Sequence, residues 1–157
     1  MGANLNEKDV SAIMMLASQA SNLYKLIEDH EDYLKELEKE ACPNFTEVAG
    51  TTIAAKLIAH AGSLKRLVEM PASTIQILGA EKALFRHMRN KKKNLPPKYG
   101  ILHEHQLIQK SREEMHGKAA RSLADKLSIA IRIDYFKGKF IGDKLKKELV
   151  DKFGVQY

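Results

Sequence analysis

Apolar residues at Ile13, Leu16, Ala20, Leu23, Ile27, Leu34 and Leu37 recur at alternating steps of three and four, with His30 as the one interruption. On a helix that spacing lines them up as a single seam, the pattern of a coiled coil. Residues 6 to 41 accordingly read as one long helix, with Asn6 a candidate N-cap and Glu7 and Asp9 in or near the first turn. Glu28, Asp29, Glu31, Asp32 and Glu36 flank the seam, which therefore calls for a partner helix rather than a bed on its own domain. Pro43 ends this helix and Asn44 can cap the next. From Phe45 to His60 apolar positions are interleaved with Ala49, Gly50, Ala54, Ala55 and Ala59, small residues that permit close helix contact. This stretch reads as core, His60 included. Gly62 suits a C-terminal cap, Ser63 restarts a short helix to Glu69, and Pro71 opens a further turn.

Gly79 separates that turn from a basic helix. Leu84, Phe85 and Met88 fall on one side of it and are expected to fix it to a core, while Lys82, Arg86, Arg89 and Lys93 follow at steps of four, three and four on another. Neighbouring positions in such a stripe lie roughly 5 to 6 Å apart, within reach of successive phosphates. A solvated charged face is the plainer reading of the same periodicity. Gly79 and Ala80 at the start are small enough for the helix N-terminus to approach another backbone. Asn90 to Gly100 is a loop by its lysine run and its paired prolines, and Lys98 and Tyr99 are expected to sit against the same phosphate-bearing ligand. Ile101 to Gln109 predicts at most one short strand or helical turn.

Ser111 can cap the longest C-terminal helix, with Glu113 and Glu114 in its first turn. Eleven of the 18 positions from Ala119 to Phe136 are Ala, Leu, Ile, Tyr or Phe, so most of its circumference is expected to be buried. Lys118, Arg121, Asp125, Ser128 and Arg132 form the one polar line, facing solvent or ligand, along which Arg121 and Asp125 could pair. Residues 140 to 153 form a last amphipathic helix, with Ile141, Leu145, Leu149 and Phe153 inward. No strand pattern is long enough for a sheet. The expectation is an all-α chain: a coiled-coil arm over residues 1–42 and a compact multi-helix domain over 43–157.

Charge changes this picture. The 157 residues carry a net +6, but residues 1–50 hold four lysines against ten acids, whereas residues 51–157 hold 22 Lys or Arg against ten acids. The basic part suits an anion and the acidic arm some other partner. Aromatics make up 6% and Trp is absent, so phosphate and shape contacts are expected ahead of base stacking. The lone Cys42 excludes an internal disulfide and suits a reducing compartment. With no secretory signal and no apolar run near the roughly 18 residues of a membrane span, a soluble cytoplasmic protein is expected.

Candidate chemistry is sparse. His103, His105 and His116 lack a matching Cys or carboxylate cluster at a metal-site spacing. The Gly79-Ala80 step lacks the Gly spacing and the Gly-Lys-Ser/Thr of a nucleotide loop, and no strand-turn-helix nucleophile motif occurs. Neither an enzyme nor a cofactor is expected.

MPASTIQILGAEKALFRHMR, from Met70 to Arg89, resembles the signature of the Nop domain, the assembly module of archaeal and eukaryotic box C/D small RNPs and of a related spliceosomal protein. AGTTIAAKLIAHAGSLKRLVEMP (Ala49 to Pro71), PPKYG (Pro96 to Gly100) and HGKAARSLADKLSIAIRIDYFKGKFIG (His116 to Gly142) agree with it in order, over about two thirds of the chain. The resemblance implies a non-catalytic scaffold that binds a kink-turn RNA together with its bound ribosomal-type kink-turn protein. It places Gly79, Ala80, Lys82, Arg86, His87, Arg89, Lys93, Lys98, Arg112, Lys118 and Arg121 toward RNA, and Ile75, Gln76, Leu78 and Glu81 toward the protein partner. Between PPKYG and GKAAR many archaeal relatives carry aromatic residues, whereas this chain has ILHEHQLIQKSREEMH. The long helix resembles the second arm of a coiled coil that joins two copies through Ile13, Leu16, Leu23, Ile27, Leu34 and Leu37. The first arm and the upstream fibrillarin-binding domain are expected to be missing here, and fibrillarin would be reached only through that domain. The chain is then either a piece of a longer protein, with Met1-Gly2-Ala3 as an expression scar, or a short stand-alone relative, and the residues leave both open. The scaffold would serve 2′-O-methylation or, like the spliceosomal relative, precursor-RNA processing. The alternative is a coiled-coil adaptor whose basic face binds nucleic acid without specificity.

Overall fold

The structure is a computed structural model and describes residues 6–155; Met1, Gly2 and Ala3 lie outside them. All regular elements among the described residues are helical. They are α1 (Glu7–Ala41), α2 (Pro43–Ala49), α3 (Thr51–Ala61), α4 (Leu64–Glu69), α5 (Ala72–Ile77), α6 (Glu81–Arg89), α7 (Gln106–Lys110), α8 (His116–Tyr135) and α9 (Gly142–Phe153), with 3-10 turns at Ile101–Glu104 and Glu113–Met115. The chain divides into two compact units, residues 1–36 and 37–157.

In the first unit α1 starts as its sequence predicts, the Asn6 carbonyl accepting from the N–H groups of Asp9 and Val10. Ile13, Leu16, Leu23, Ile27 and Leu34 are all exposed, Leu16 at 72%. Leu37, the last of the seam and the first residue of the second unit, is also exposed.

The second unit is organised around α8, which packs against α2, α4, α5, α7 and α9. Ala119, Ala120, Ala124 and Ala130 let neighbouring helices come close, and Leu123, Leu127 and Ile131 fill the space between them. Each such fully buried Leu or Ile contributes roughly 1.5 to 3 kcal/mol by leaving water. α9 turns Leu145 and Leu149 inward, with Ile141 and Phe153 half-buried beside them. Gly50 (φ 75°, ψ 150°) breaks the expected core stretch into α2 and α3. Gly62 closes α3 in the left-handed region, and the Ser63 hydroxyl caps α4 by accepting from the Arg66 N–H.

Four local expectations are corrected. Asn44 is not a cap but a buried residue inside α2, because Pro43 already occupies the first helical position. Its amide donates to Asp134 Oδ1 at 2.6 Å, its carbonyl oxygen accepts from the Ile141 N–H at 2.5 Å, and Asp134 also accepts from the backbone N–H groups of Asn44 and Phe45. The carboxylate of α8 thus caps the N-terminus of α2 across 90 residues of sequence. Ser111 ends α7, donating to the Ile108 carbonyl, and the long helix starts only at His116, after the turn that holds Glu113 and Glu114. His60 is exposed rather than core, and Ser128, placed on the polar line, is buried.

Besides Asp134 and the Cys42 thiol, two more ionisable groups are buried among the described residues. Glu38 lies 3.5 Å from the Thr46 hydroxyl, which donates to it; burial pushes its carboxyl up to about 7. His105 caps α7, its Nδ1 accepting from the Leu107 N–H while Nε2–H donates to the Val48 carbonyl. Burial holds its imidazole down at about 4, so it is neutral.

Candidate nucleic-acid interface

Three segments far apart in sequence meet at one backbone junction. Leaving α5, the chain turns at Gly79 (φ 87°), whose N–H donates to Glu81 Oε1 at 2.6 Å and holds that carboxyl below the usual range. The loop from Asn90 to Gly100 returns to the same turn. The Gly100 N–H donates to the Gln76 carbonyl at 3.0 Å, the Ile101 N–H to the Leu78 carbonyl at 2.8 Å, and the Gln76 amide to the Lys98 carbonyl at 2.7 Å. A Cβ at Gly79 would meet Ile101 Cγ1 at 2.6 Å, so the two strands of backbone are held in direct contact.

The third segment is the N-terminus of α8. Lys98 Cδ lies 3.8 Å from the position a Gly117 Cβ would take, so the aliphatic stem of Lys98 runs past the first turn of α8 and its ammonium emerges beside it. Tyr99 stacks on His103 with ring centroids 4.7 Å apart, and His116 meets Tyr99 edge-on at 6.2 Å. Tyr99 also packs on the core and is only half-exposed. His116 is fixed in turn, its Nε2–H donating to the Ser111 carbonyl. Imidazoles therefore build a ring cluster in a segment that carries none of Phe, Tyr or Trp. Lys98, Arg112, Lys118 and Arg121 are all exposed around this junction, and among the described residues no ion pair joins Arg121 to Asp125.

α6 departs from its expected setting. No residue of it is buried, and Phe85 is 65% exposed, so its apolar side does not dock on the core. Ile75 and Leu78 before it, by contrast, are buried, and it is α5 that packs on α8. Those two are consequently core and closed to a partner, whereas Gln76 is half-buried and Glu81 exposed. Lys82, Arg86 and Arg89 are exposed along α6, while Lys93 lies beyond its end in a turn closed by the Asn90 side chain. His87 does not point outward freely, since its Nδ1–H donates to the Asn94 carbonyl at 2.7 Å and ties the loop back to the helix. Among the described residues no group of three or more His, Cys, Asp or Glu could hold a metal ion, and no helix is long and apolar enough to cross a membrane.

Gly100, Gln76 and the Tyr99–His103–His116 rings were not singled out by charge periodicity. Tyr99 enters through the stiffened loop, Gln76 through the family resemblance and His103 and His116 only as metal candidates, while Gly100 figures only as the end of PPKYG.

An all-helical domain with an exposed cationic junction beside the start of α8 suits an anionic ligand such as a nucleic-acid backbone. The family comparison is specific: the model for Nop, described as the snoRNA binding domain with fibrillarin, matches residues 1–154, and the chain belongs to the Nop family. An uncharacterised NOP5 family protein of Methanocaldococcus jannaschii is 46% identical over 149 residues, 95% of this chain and 35% of that protein. Nucleolar protein 58 of Schizosaccharomyces pombe is 42% identical over 139 residues, 88% of this chain and 27% of its own. A crystal structure of a fibrillarin/Nop5p complex superposes with a TM-score of 0.71 at 33% identity, over 94% of this chain and 57% of that one. The chain thus spans about a third of the length of the curated relatives it matches. The Nop family is one of non-catalytic ribonucleoprotein components.

Proposed function

We propose that this chain is the RNA-binding scaffold part of a box C/D-type ribonucleoprotein, and that it recognises a kink-turn RNA together with the kink-turn protein already bound to it. The observation that carries the reading is the junction at which Gly79, Lys98 and Gly117 meet. It brings the positive end of the α8 dipole and the cations Lys98, Lys118 and Arg121 to one surface that suits phosphates. α6, standing clear of the core, adds Lys82, Arg86 and Arg89, with Gly79, Ala80 and His87 at its two ends. Phe85, Met88 and Glu81 offer apolar and acidic groups for a protein beside the RNA. A composite of RNA and protein uses both sets, whereas bare duplex uses only the cations.

The exposed seam of α1 supports self-association through a coiled coil, with Ile13, Leu16, Leu23, Ile27, Leu34 and Leu37 as its contacts. The complex between fibrillarin and Nop5p supports placing the scaffold in an assembly that fibrillarin joins.

The test is a gel-shift titration with kink-turn RNA at several salt concentrations, with and without the kink-turn protein. Binding is expected to be strong only when that protein is present. Arg86→Ala combined with Lys98→Ala removes two phosphate contacts, and the slope of log affinity against log salt should fall by about 2. An unchanged slope and affinity would move the RNA surface elsewhere. Equal binding to any RNA of matched length would leave a coiled-coil adaptor with a non-specific basic face.

A further inference from the structure

Aromatic residues are few in this chain, yet three of them fall within the six residues from Tyr135, the last of α8, to Phe140 in the loop before α9. Phe136 is 73% exposed and Phe140 52%, with Tyr135 also at the surface. Lys137, Gly138 and Lys139 lie between the two phenylalanines, all exposed. We propose that this loop is a second RNA-binding site, which takes an unpaired stretch of RNA by stacking bases on Phe136 and Phe140 and pairing its phosphates with Lys137 and Lys139. The site is independent of the junction described above.

The rings are exposed by construction. α8 ends in three backbone hydrogen bonds, from the N–H of Phe136 to the Arg132 carbonyl, of Lys137 to Asp134 and of Gly138 to Ile133, at 3.0, 3.0 and 2.8 Å. Lys137 is held in the left-handed region (φ 53°), and a Cβ at Gly138 would meet Ile133 Cγ2 at 2.8 Å, so the turn has no room to relax. The Tyr135 and Phe136 rings meet at 88° with centroids 5.3 Å apart, which leaves the outer face of Phe136 open. At the other end the Ile141 N–H is anchored on Asn44, and Phe140 Cε2 lies 3.2 Å from where a Gly142 Cβ would be. A stiff loop loses little freedom on binding.

Charge selects the ligand. Asp134, two positions before Phe136, is buried and spent on the α2 N-terminus, Glu47 beside Phe140 is paired with Lys146, and Glu40 is the one exposed acid that shares a cleft with Tyr135 and Lys137. The exposed charges of the segment from residue 132 to 144 are Arg132, Lys137, Lys139 and Lys144 against Asp143. Aromatic rings alternating with cations match alternating bases and phosphates, and a stacking platform tolerates any base. An apolar protein interface would have no use for cations set between the rings, and an anionic lipid surface, which would, is told apart by the vesicle measurement below. α8 has 20 residues, so this loop lies roughly 30 Å along that helix from the Lys98 junction. One RNA can touch both.

Phe136→Trp introduces the only tryptophan of the chain, and its emission reports stacking directly. A labelled oligouridylate of about ten nucleotides, titrated against the full chain, should bind by anisotropy and quench that emission in parallel. Phe136→Ala with Phe140→Ala should weaken binding tenfold or more with an unchanged circular dichroism spectrum. Lys139→Gln should weaken it less and lower the salt dependence. Arg86→Ala with Lys98→Ala should leave oligouridylate binding intact, which separates this site from the kink-turn surface. Binding without quenching, or binding indifferent to both phenylalanines, would overturn the site. So would a double variant whose only defect is in sedimentation or in association with anionic vesicles, since the loop would then serve a protein or a lipid surface.

Discussion

A Cβ at Gly100 would sit 1.9 Å from the Leu78 carbonyl oxygen and 2.7 Å from its carbon, closer than any side chain can approach. Gly100→Ala must therefore break the strap between the loop and α5, at a cost of roughly 1 to 3 kcal/mol or more. A lowered thermal midpoint together with lost kink-turn assembly is expected, and a variant of unchanged stability would show the strap to be dispensable. Glu38 and His105 make the second case. Glu38 has a folded pKa raised to about 7, so between its unfolded value near 4.5 and 7 the folded state holds the extra proton, and stability falls as pH rises. His105 has a folded pKa lowered to about 4, so between 4 and 6.5 the unfolded state holds the extra proton, and stability rises with pH. The two slopes oppose each other from about pH 4.5 to 6.5. Glu38→Gln should remove one of them: denaturant unfolding at pH 8 should show a gain of about 1 to 3 kcal/mol, with stability now climbing with pH below 6.5. Neither burial was legible in the sequence. Glu38 sits among acids of a solvated arm, and His105 between two other candidate histidines, so only the packing distinguishes them.

Helix starts and stops divide by what signals them. Gly62, Ser63, Pro71 and Gly79 act through their own backbone geometry or their own side chain, and each punctuates the chain where the sequence places it. Asn44 and Ser111 are good caps by type, but at both sites another contact takes the residue. The N-terminus of α2 is capped by Asp134, and Asp134→Ala should leave the N–H groups of Asn44 and Phe45 and the Asn44 amide short of an acceptor inside the core. A loss of about 2 to 4 kcal/mol is expected in urea unfolding, with Asp134→Asn recovering part of it. Loss of less than about 0.5 kcal/mol would mean that water replaces the carboxylate. α6 shows the same division at its apolar face. Periodicity correctly predicts a helix there, but Phe85 and Met88 stay exposed, because periodicity marks an apolar face without saying what covers it.

At the scale of the whole molecule the chain pairs a compact domain built on α8 with an acidic arm whose apolar seam is uncovered. Leu23→Asp with Ile27→Asp should abolish self-association in sedimentation equilibrium while leaving the circular dichroism of the second unit and its RNA binding intact. A monomeric parent chain would remove the coiled-coil proposal. The all-α class, the long helix, the amphipathic α9 and the alanine-lined core of α8 all follow from local periodicity, because burying one face of a helix needs only the right residues at steps of three and four. The amino-acid sequence also determined which segments carry the Nop signature. What it could not determine is which of those residues meet. The contact of Gly79 with Ile101, the run of Lys98 past Gly117 and the capping of α2 from α8 join residues 19 to 90 positions apart, and the loss of Ile75 and Leu78 to the core is likewise a matter of packing. Periodicity records the environment of a residue along its own helix, while these contacts depend on how the helices pack, and only the tertiary structure contains that.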